Sequence, residues 1–465
     1  MEISKWVEFY KEDVIKDLQG LLAIRSVKGE ARDGKPFGEG PYRALQYVLD
    51  LGISMGFEIK NVDNYAGHIE YGNGNEIIGV LVHLDVVPEG EEPWIYPPYS
   101  GEVHEGRIYG RGVIDNKGPA IAALYALKAL KESKVHLNRK IRLILGTNEE
   151  SGWGCIRYYL KKEKAPDMAF SPDAGFPVIH AEKGILVFNL IKEFSSQWDK
   201  GPVLKSIKGG NAPNMVADKC TAVLESEDIT NVLQALSNFT KITGYHLTSE
   251  IEGNLITIVS TGKSAHGAFP EKGLNAISEM MLFLSQLEFA NQDLNSLIKF
   301  YADHIGMEYN GQSIGCGFED EVSGKLTFNV GMIEVDEQKG KIKVDVRYPV
   351  SMDSEAVLKA LRDKTKNMRF EIICDGDLKP KYVPKDHQLV KTLMEVYRKH
   401  TEDYDSEPFV IGGGTYARAI EMAVAFGTVF IGQESLEHQK NEYVEIDLLI
   451  KAAKIFADAM YELAK

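Results

Sequence analysis

Hydrophobic and polar positions divide the chain into three stretches of different texture. In the first, short apolar runs alternate with segments of helical period. "EIIGVLVHLD" reads as a buried strand, "KGPAIAALYALKALKES" as a helix entered at Lys117 and Gly118, "KIRLILGT" as a strand, "GCIRYYLKKE" as a helix and "PDMAFSPD" as a short strand. Such alternation predicts a largely parallel sheet covered by helices. From about Ala181, "GILVFNLIKEF", "CTAVLESE", "NLITIVSTG", "KLTFNVGMIEV" and "KIKVDVRYPV" alternate apolar and polar residues, as strands with one wet face do, and "ITNVLQALSNFTKIT" and "LNAISEMMLFLSQLEFA" between them read as helices. After about Lys379 the first texture returns, with helix "QLVKTLMEVYRKH", the turn "PFVIGGGTYARAI", strand "AVAFGTVFIG" and the closing helix "IDLLIKAAKIFADAMYEL". The expected architecture is an α/β domain of residues 1–180 and 380–465, with a mixed, largely parallel sheet and helices on both faces, and an α+β domain of residues 181–379 inserted into it. The first segment, "MEISKWVEFYKEDVIKDLQGLLAIRSV", sets Trp6, Phe9, Val14, Leu18, Leu21 and Leu22 among charges at roughly helical spacing, which predicts one amphipathic helix and not a signal peptide.

Composition narrows the function classes. At 465 residues, 44% of them hydrophobic, the chain exceeds the size at which one core keeps growing, in line with two domains. The 53 basic and 68 acidic residues leave a net charge of −15, which opposes binding to nucleic acid or an anionic membrane. No apolar run reaches the roughly 20 residues that span a bilayer. Cys155, Cys220, Cys316 and Cys374 lie far apart without a CxxC pair, which points to reduced thiols and a cytoplasmic location.

Candidate chemistry gathers at the strand ends of the outer domain. In "VLVHLDVVP", His83 and Asp85 are two apart and share a face of an extended strand, where a carboxylate can fix an imidazole's tautomer. Asp115 in "GRIYGRGVIDNKGPA" precedes a helix after a glycine turn, and its two oxygens can bridge two ions. Glu149 and Glu150 are adjacent after a strand, Asp173 stands in "FSPDAGFP", and His438 lies in the loop "GQESLEHQKNEYVEI". Each has an ordinary reading: a hydrogen-bonded histidine, a helix N-cap, an exposed charge pair, an Asx turn, a solvated histidine. Jointly, two imidazoles and three carboxylates at the ligand-binding ends of an α/β sheet match a metal centre with Asp115 bridging and positions open for water and substrate.

The segments "HLDVVP", "GRGVIDNKG", "TNEESGWG", "SPD", "SAHGAFPEKGLNAI" and "EHQKNEY" together resemble the dinuclear metallopeptidases of the aminoacylase and carboxypeptidase group, peptidase family M20, over essentially the full chain. The long insert and "HLDVVPEGEEPW" are similar to the PepV-type and Sapep-type bacterial dipeptidases. The resemblance implies two divalent ions, zinc first with manganese or cobalt as substitutes. His83 and Asp173 would hold one, Glu150 and His438 the other, with Asp115 between them and Asp85 orienting His83. It makes Glu149 the general base that takes a proton from the attacking water and delivers it to the leaving amine. It also implies that His266 in "GKSAHGAFP" donates to the oxyanion from a lid that closes over the substrate. Arg347 in "VDVRYP" would pair with a substrate carboxylate in a bidentate fork, Asn214 in "GGNAPNMVAD" would make a polar contact, and the amides of Gly412, Gly413 and Gly414 would cradle an anion.

The expected function is hydrolysis of unblocked dipeptides, Xaa-Xaa or Xaa-His, by a chain that works as a monomer, with a homodimer left open. A deacylase of the acetylornithine or succinyl-diaminopimelate type would use the same centre, but such enzymes resemble shorter chains whose lid histidine comes from a partner subunit. A non-catalytic metal- or peptide-binding protein is the reading from another class, and Glu149 argues against it, because a binding module needs no base beside the water.

Overall fold

The computed structural model describes residues 2–195, 200–434 and 436–465. The chain divides into two compact units, one of Met1–His180, Val383–Phe409 and Gly414–Lys465, the other of Ala181–Tyr382 and Val410–Gly413. The sequence reading put all of 380–465 in the outer domain, whereas Val410–Gly413 group with the inserted one. Arg347 Nη1 donates to the Gly412 carbonyl (2.9 Å), and Ala268 packs so close to Gly412 that a β-carbon there would lie 2.7 Å from the alanine methyl. These are long-range ties that no local pattern carries.

The outer unit is built on a mixed sheet whose order runs Glu58–Val62, Ala66–Tyr71, Lys140–Gly146, Ile77–His83, Met168–Ser171, Ala423–Ala425. The four central strands pair in parallel, and the first two join antiparallel at the edge. Every residue of Ile77–His83 is buried, as a strand covered on both faces requires. Helix Lys117–Ser133 is apolar on nearly every side because it lies between the sheet and the helices Ile3–Phe9 and Ile446–Ala464.

Three local expectations give way. The N-terminal segment forms two helices, Ile3–Phe9 and Lys11–Leu22. Val14, Leu18, Leu21 and Leu22 are buried, but Phe9 is 69% exposed because the break at Tyr10 turns the first helix's register away. The strand read in "AVAFGTVFIG" stops at Ala425. Gly427 there takes a φ of +84°, with the Phe176 ring against its α-carbon, and Thr428–Val429 pair instead with Ala174–Gly175. The edge hairpin Glu58–Val62 and Ala66–Tyr71 was not anticipated, since its polar first strand lacks an apolar run.

That edge carries a buried histidine remote from the candidate centre. His68 is 4% exposed, with Nδ1 2.8 Å from the Tyr159 hydroxyl, and burial, aided by the charge of Arg142, lowers its pKa from 6.5 to about 4. The unfolded chain therefore binds more protons between these values, so stability is complete above about pH 6.5 and is lost as the pH falls toward about 4. Denaturant titrations of the metal-free chain across this window should show a smaller loss for His68→Gln than for the wild type. Equal losses would remove His68 as the cause.

The inserted unit is an eight-stranded antiparallel sheet in the order Leu247–Glu252, Leu255–Thr261, Lys219–Glu225, Val203–Gly209, Thr327–Val335, Lys339–Tyr348, Gly184–Glu193, Glu371–Leu378. Cys220, Ala222 and Leu224 point into its core, and the residues between them do not, which is the alternation read from the sequence. Helices Ile229–Thr243, Ala276–Leu284, Gln292–His304 and Ser354–Thr365 contribute to the same core. The helix expected through "LNAISEMMLFLSQLEFA" ends at Leu284, and a further one begins after Asn291, whose side chain caps the Asp293 and Leu294 amides. Among the described residues no helix is long and apolar enough to cross a membrane, and all four cysteines are free thiols.

Candidate metal centre

Three parallel strands of the outer unit end in the candidate residues. His83 closes Ile77–His83, Glu149 and Glu150 follow Lys140–Gly146 in a turn, and Asp173 follows Met168–Ser171. Asp115 precedes helix Lys117–Ser133, and His438 lies in the loop before Ile446–Ala464 with a φ of +63°. The C-terminal edge of a parallel sheet is where such folds open a crevice.

The donor atoms converge there. His83, Asp115 and Glu150 each offer a ligand atom, all within 4.8 Å of one another, the spacing of a divalent-metal site. Asp115 lies between the imidazoles, Oδ1 2.8 Å from His83 Nε2 and Oδ2 3.0 Å from His438 Nε2. His438 Nε2 is also 3.1 Å from Glu150 Oε2, and Asp173 Oδ1 is 3.4 Å from His83 Nε2.

Charge decides whether this set suits a cation. Five carboxylates, Asp85, Asp115, Glu149, Glu150 and Asp173, face two imidazoles. In the metal-free chain, burial raises Asp173 to about 6 against the opposing hydrogen bond to His83, and burial, with the charges of Asp173, Asp115 and Glu150, lifts Glu149 well above the usual range; burial also raises Glu150. His438 is raised to about 10 by its hydrogen bonds to Asp115 and Glu150. Burial works against a charge on His83, yet bonds to Asp115 and Asp173 raise it well above 6.5. Asp115, though buried, is held far below the carboxylate range by His438 and His83. Imidazolium protons thus bind the carboxylates together where a divalent cation would relieve the same repulsion, so the residues fit a metal.

The surrounding groups fix each donor, and here the structure departs from the sequence reading. His83 Nδ1 bonds the main-chain carbonyl of Asp85 (3.0 Å), while the nearest Asp85 carboxylate oxygen is 3.6 Å away. That carboxylate accepts instead from the Glu149 and Glu150 amides (3.0 and 3.1 Å), so Asp85 orients the pair of glutamates as well as the histidine. Asn116 donates to the Pro172 carbonyl (2.7 Å) and Asp173 Oδ1 (3.1 Å), and accepts from the His83 amide (3.4 Å). Glu442, 1% exposed, accepts from the amides of Gly112, Ile114 and Asp115 and from Arg111 Nη1 (2.8 Å), and Arg111 Nη2 reaches the His438 carbonyl. Sequence reasoning missed Asn116, Arg111 and Glu442. Glu442 lies inside the quoted "EHQKNEY" but reads there as one more loop acid.

The remaining candidates belong to the inserted unit, apart from Gly414, which groups with the outer one. His266 pairs as an isolated bridge with Met215, and the Gly267 amide donates to the Asn214 carbonyl (2.7 Å), so Asn214 and His266 are neighbours. His266 Nδ1 accepts from the Ala268 amide (3.2 Å), and burial and the charge of Arg347 lower its pKa, which leaves a neutral ring with its proton on Nε2. Arg347 is 4% exposed, and its fork is already engaged by Asp345 (2.6 and 2.9 Å). The expected bidentate grip on a substrate carboxylate is therefore taken by a protein carboxylate two residues away on the same strand. Gly412 offers its carbonyl to Arg347, an acceptor role, and its lack of a side chain makes room for Ala268.

Comparison with known proteins identifies the family of the chain. Over 98% of both chains, the sequence is 42% identical to the Bacillus subtilis (strain 168) protein named "Putative dipeptidase YtjP". It is 38% identical, over 98% of this chain and 97% of the relative, to a Staphylococcus epidermidis (strain ATCC 12228 / FDA PCI 1200) protein named "Putative dipeptidase". The fold matches human carnosine dipeptidase 1 with a TM-score of 0.58 at 15% identity, over 99% of this chain and 98% of that one. It matches aminoacylhistidine dipeptidase from Vibrio alginolyticus with a TM-score of 0.56 at 15% identity, over 96% of each. Residues 79–462, a span that holds every metal-ligand candidate from His83 to His438, match the model of peptidase family M20/M25/M40, and the chain belongs to that family.

Proposed function

We propose that the chain is a metal-dependent dipeptidase that hydrolyses unblocked dipeptides. The observation that carries this reading is a carboxylate, Glu149, buried beside a metal-competent donor set in a chain of this peptidase family. Relatives named as dipeptidases align over nearly their whole length, which supports a dipeptide in place of an acylated amino acid. An inserted unit of about 200 residues, Ala181–Tyr382, supports a lid completed within one chain and a monomer as the working form. The free thiols and net charge of −15 support a cytoplasmic enzyme with no nucleic-acid partner.

In this reading His83, Asp115, Glu150, Asp173 and His438 would hold two divalent ions, zinc first and manganese or cobalt as substitutes, with His83 and Asp173 serving one, Glu150 and His438 the other, and Asp115 shared. Such ions would supply a lowered pKa for the attacking water and polarisation of the scissile carbonyl. Glu149 accepts the water's proton and returns it to the leaving amine. Asp85 keeps Glu149 and Glu150 in place through their amides. From the inserted unit, His266 donates its Nε2 proton to the oxyanion, and Asn214, beside it, makes a polar contact to substrate. Arg347 acts through Asp345 and Gly412, holding the Gly412–Gly414 turn that receives the substrate's anionic end.

The test compares a free dipeptide with its N-acetylated counterpart after loading with zinc, manganese or cobalt. Cleavage of the free dipeptide alone is expected. Preference for the acetylated compound would move the enzyme to the deacylases, and metal uptake without cleavage of either would leave a binding protein.

A further inference from the structure

The turn that carries the two glutamates spends an unusual residue. Trp153 adopts φ +60° and ψ +23°, the left-handed region, which a bulky side chain seldom occupies. It stands at the N-cap of helix Gly154–Lys162, where its side chain makes no capping hydrogen bond. Glycine or asparagine would hold this backbone at lower cost. Capping falls to Asn148, whose Oδ1 accepts from the Gly154 amide (3.0 Å), whose carbonyl accepts from the Trp153 amide (2.8 Å) and whose Nδ2 donates to Ser151 Oγ (2.6 Å). The helix start is therefore capped without the Trp153 side chain.

From this turn the indole Nε1 donates to Glu149 Oε1 at 2.9 Å. The ring stands edge-on to buried Tyr416 (5.9 Å between centroids, 69°), and Tyr416 stands edge-on to His83 (6.1 Å, 88°) and gives its amide to Asp173 Oδ2 (3.1 Å). The base is thus tied through two rings to the residues around the metal-ligand candidates.

We infer that Trp153 is the positioning residue of the general base: its indole N–H fixes one oxygen of Glu149 and so assigns the travelling proton to the other, Oε2. The assignment rests on the reading of Glu149 as the base. An indole N–H only donates and keeps its proton at any pH the enzyme meets, so Oε1 stays an acceptor throughout the cycle. A carboxylate held at one oxygen also loses the rotation that would otherwise swap the two oxygens, and proton transfer from water to leaving amine needs one oxygen in a constant place.

The chain has four tryptophans, so a deuterated, indole-labelled sample gives four N–H resonances, and Trp153 is identified as the one lost in Trp153→Phe. In Glu149→Ala that resonance should move toward the frequency of an unbonded indole while the others keep their places, in the metal-free and the metal-loaded chain alike. Trp153→Phe should lower kcat for a dipeptide by about 10- to 100-fold, the scale of a hydrogen bond to a charged group, with KM and metal content within about twofold of the wild type. A Trp153 resonance indifferent to Glu149→Ala overturns the inference, as does Trp153→Phe with wild-type kcat. The spectrum needs no substrate, so it decides the contact even if the chain proves to act on something other than a dipeptide, and if Trp153→Phe does not fold, the losses in Trp6→Phe, Trp94→Phe and Trp198→Phe assign the Trp153 resonance by elimination.

Discussion

Glu149→Gln should lower kcat for a dipeptide by about 100- to 10,000-fold and leave metal content unchanged. The amide has nearly the volume of the carboxylate and can still accept from the Trp153 indole, so the turn keeps its shape. The Asp85 carboxylate holds the turn through the Glu149 and Glu150 main-chain amides, which the substitution leaves in place, and the ligand group His83, Asp115 and Glu150 does not include Glu149. What the amide cannot do is take a proton from water and give it up to an amine. Metal analysis and kcat on the same sample separate the two. Undiminished turnover would end the assignment of Glu149 as base. Loss of metal together with turnover would make it a ligand.

Glu442→Ala is expected to have the largest effect on stability, about 3–5 kcal/mol, because it strips the partner from a buried guanidinium. The Arg111–Glu442 pair is 3% and 1% exposed at 2.8 Å, and the same carboxylate satisfies the amides of Gly112, Ile114 and Asp115. Removal leaves these amides without acceptors, and the Arg111 charge without its carboxylate, in a place water does not reach. The loop it releases carries Asp115 on one side, and on the other Arg111 loses the anchor from which it holds the His438 carbonyl. Metal affinity should therefore fall as well, by about 10- to 100-fold, the usual cost of removing a group that orients ligands. The stability loss appears as a lower denaturant midpoint at constant m. A wild-type midpoint would mean that the buried pair contributes nothing net. Glu442→Gln should lie between, since it retains an acceptor for the loop amides but not the charge opposite Arg111.

Much of the architecture was legible from periodicity alone, because a strand buried on both faces must be apolar throughout and a strand with one wet face must alternate. Ile77–His83 and Lys219–Glu225 show the two rules at work. Residue type together with position at strand ends also singled out His83, Asp115, Glu149, Glu150, Asp173 and His438, since a carboxylate or imidazole beyond an apolar strand has few local reasons to be there. Elements without a strong pattern escaped: the polar edge strand Glu58–Val62, the mostly exposed Glu371–Leu378, and the break at Gly427, which depends on a ring 251 residues earlier in the chain at Phe176.

Tertiary structure alone decided which group holds which. Asp85 was read as the partner of its near neighbour, yet its carboxylate binds amides more than sixty residues away. Arg347 looked available to a substrate until Asp345, two residues before it on the same strand, proved to fill its fork. Glu442, Asn116 and Trp153 lie within the quoted motifs but show no role there, because a loop glutamate, an asparagine and a tryptophan acquire one only through the group the fold sets opposite them. Residue type and short-range spacing were enough to read an α/β domain with an inserted α+β domain and to single out His83, Asp115 and Glu150, which the fold brings within ligand distance of one another. The hydrogen-bonded frame that aims those donors is a matter of distance and direction between remote segments, and only the folded chain specifies it.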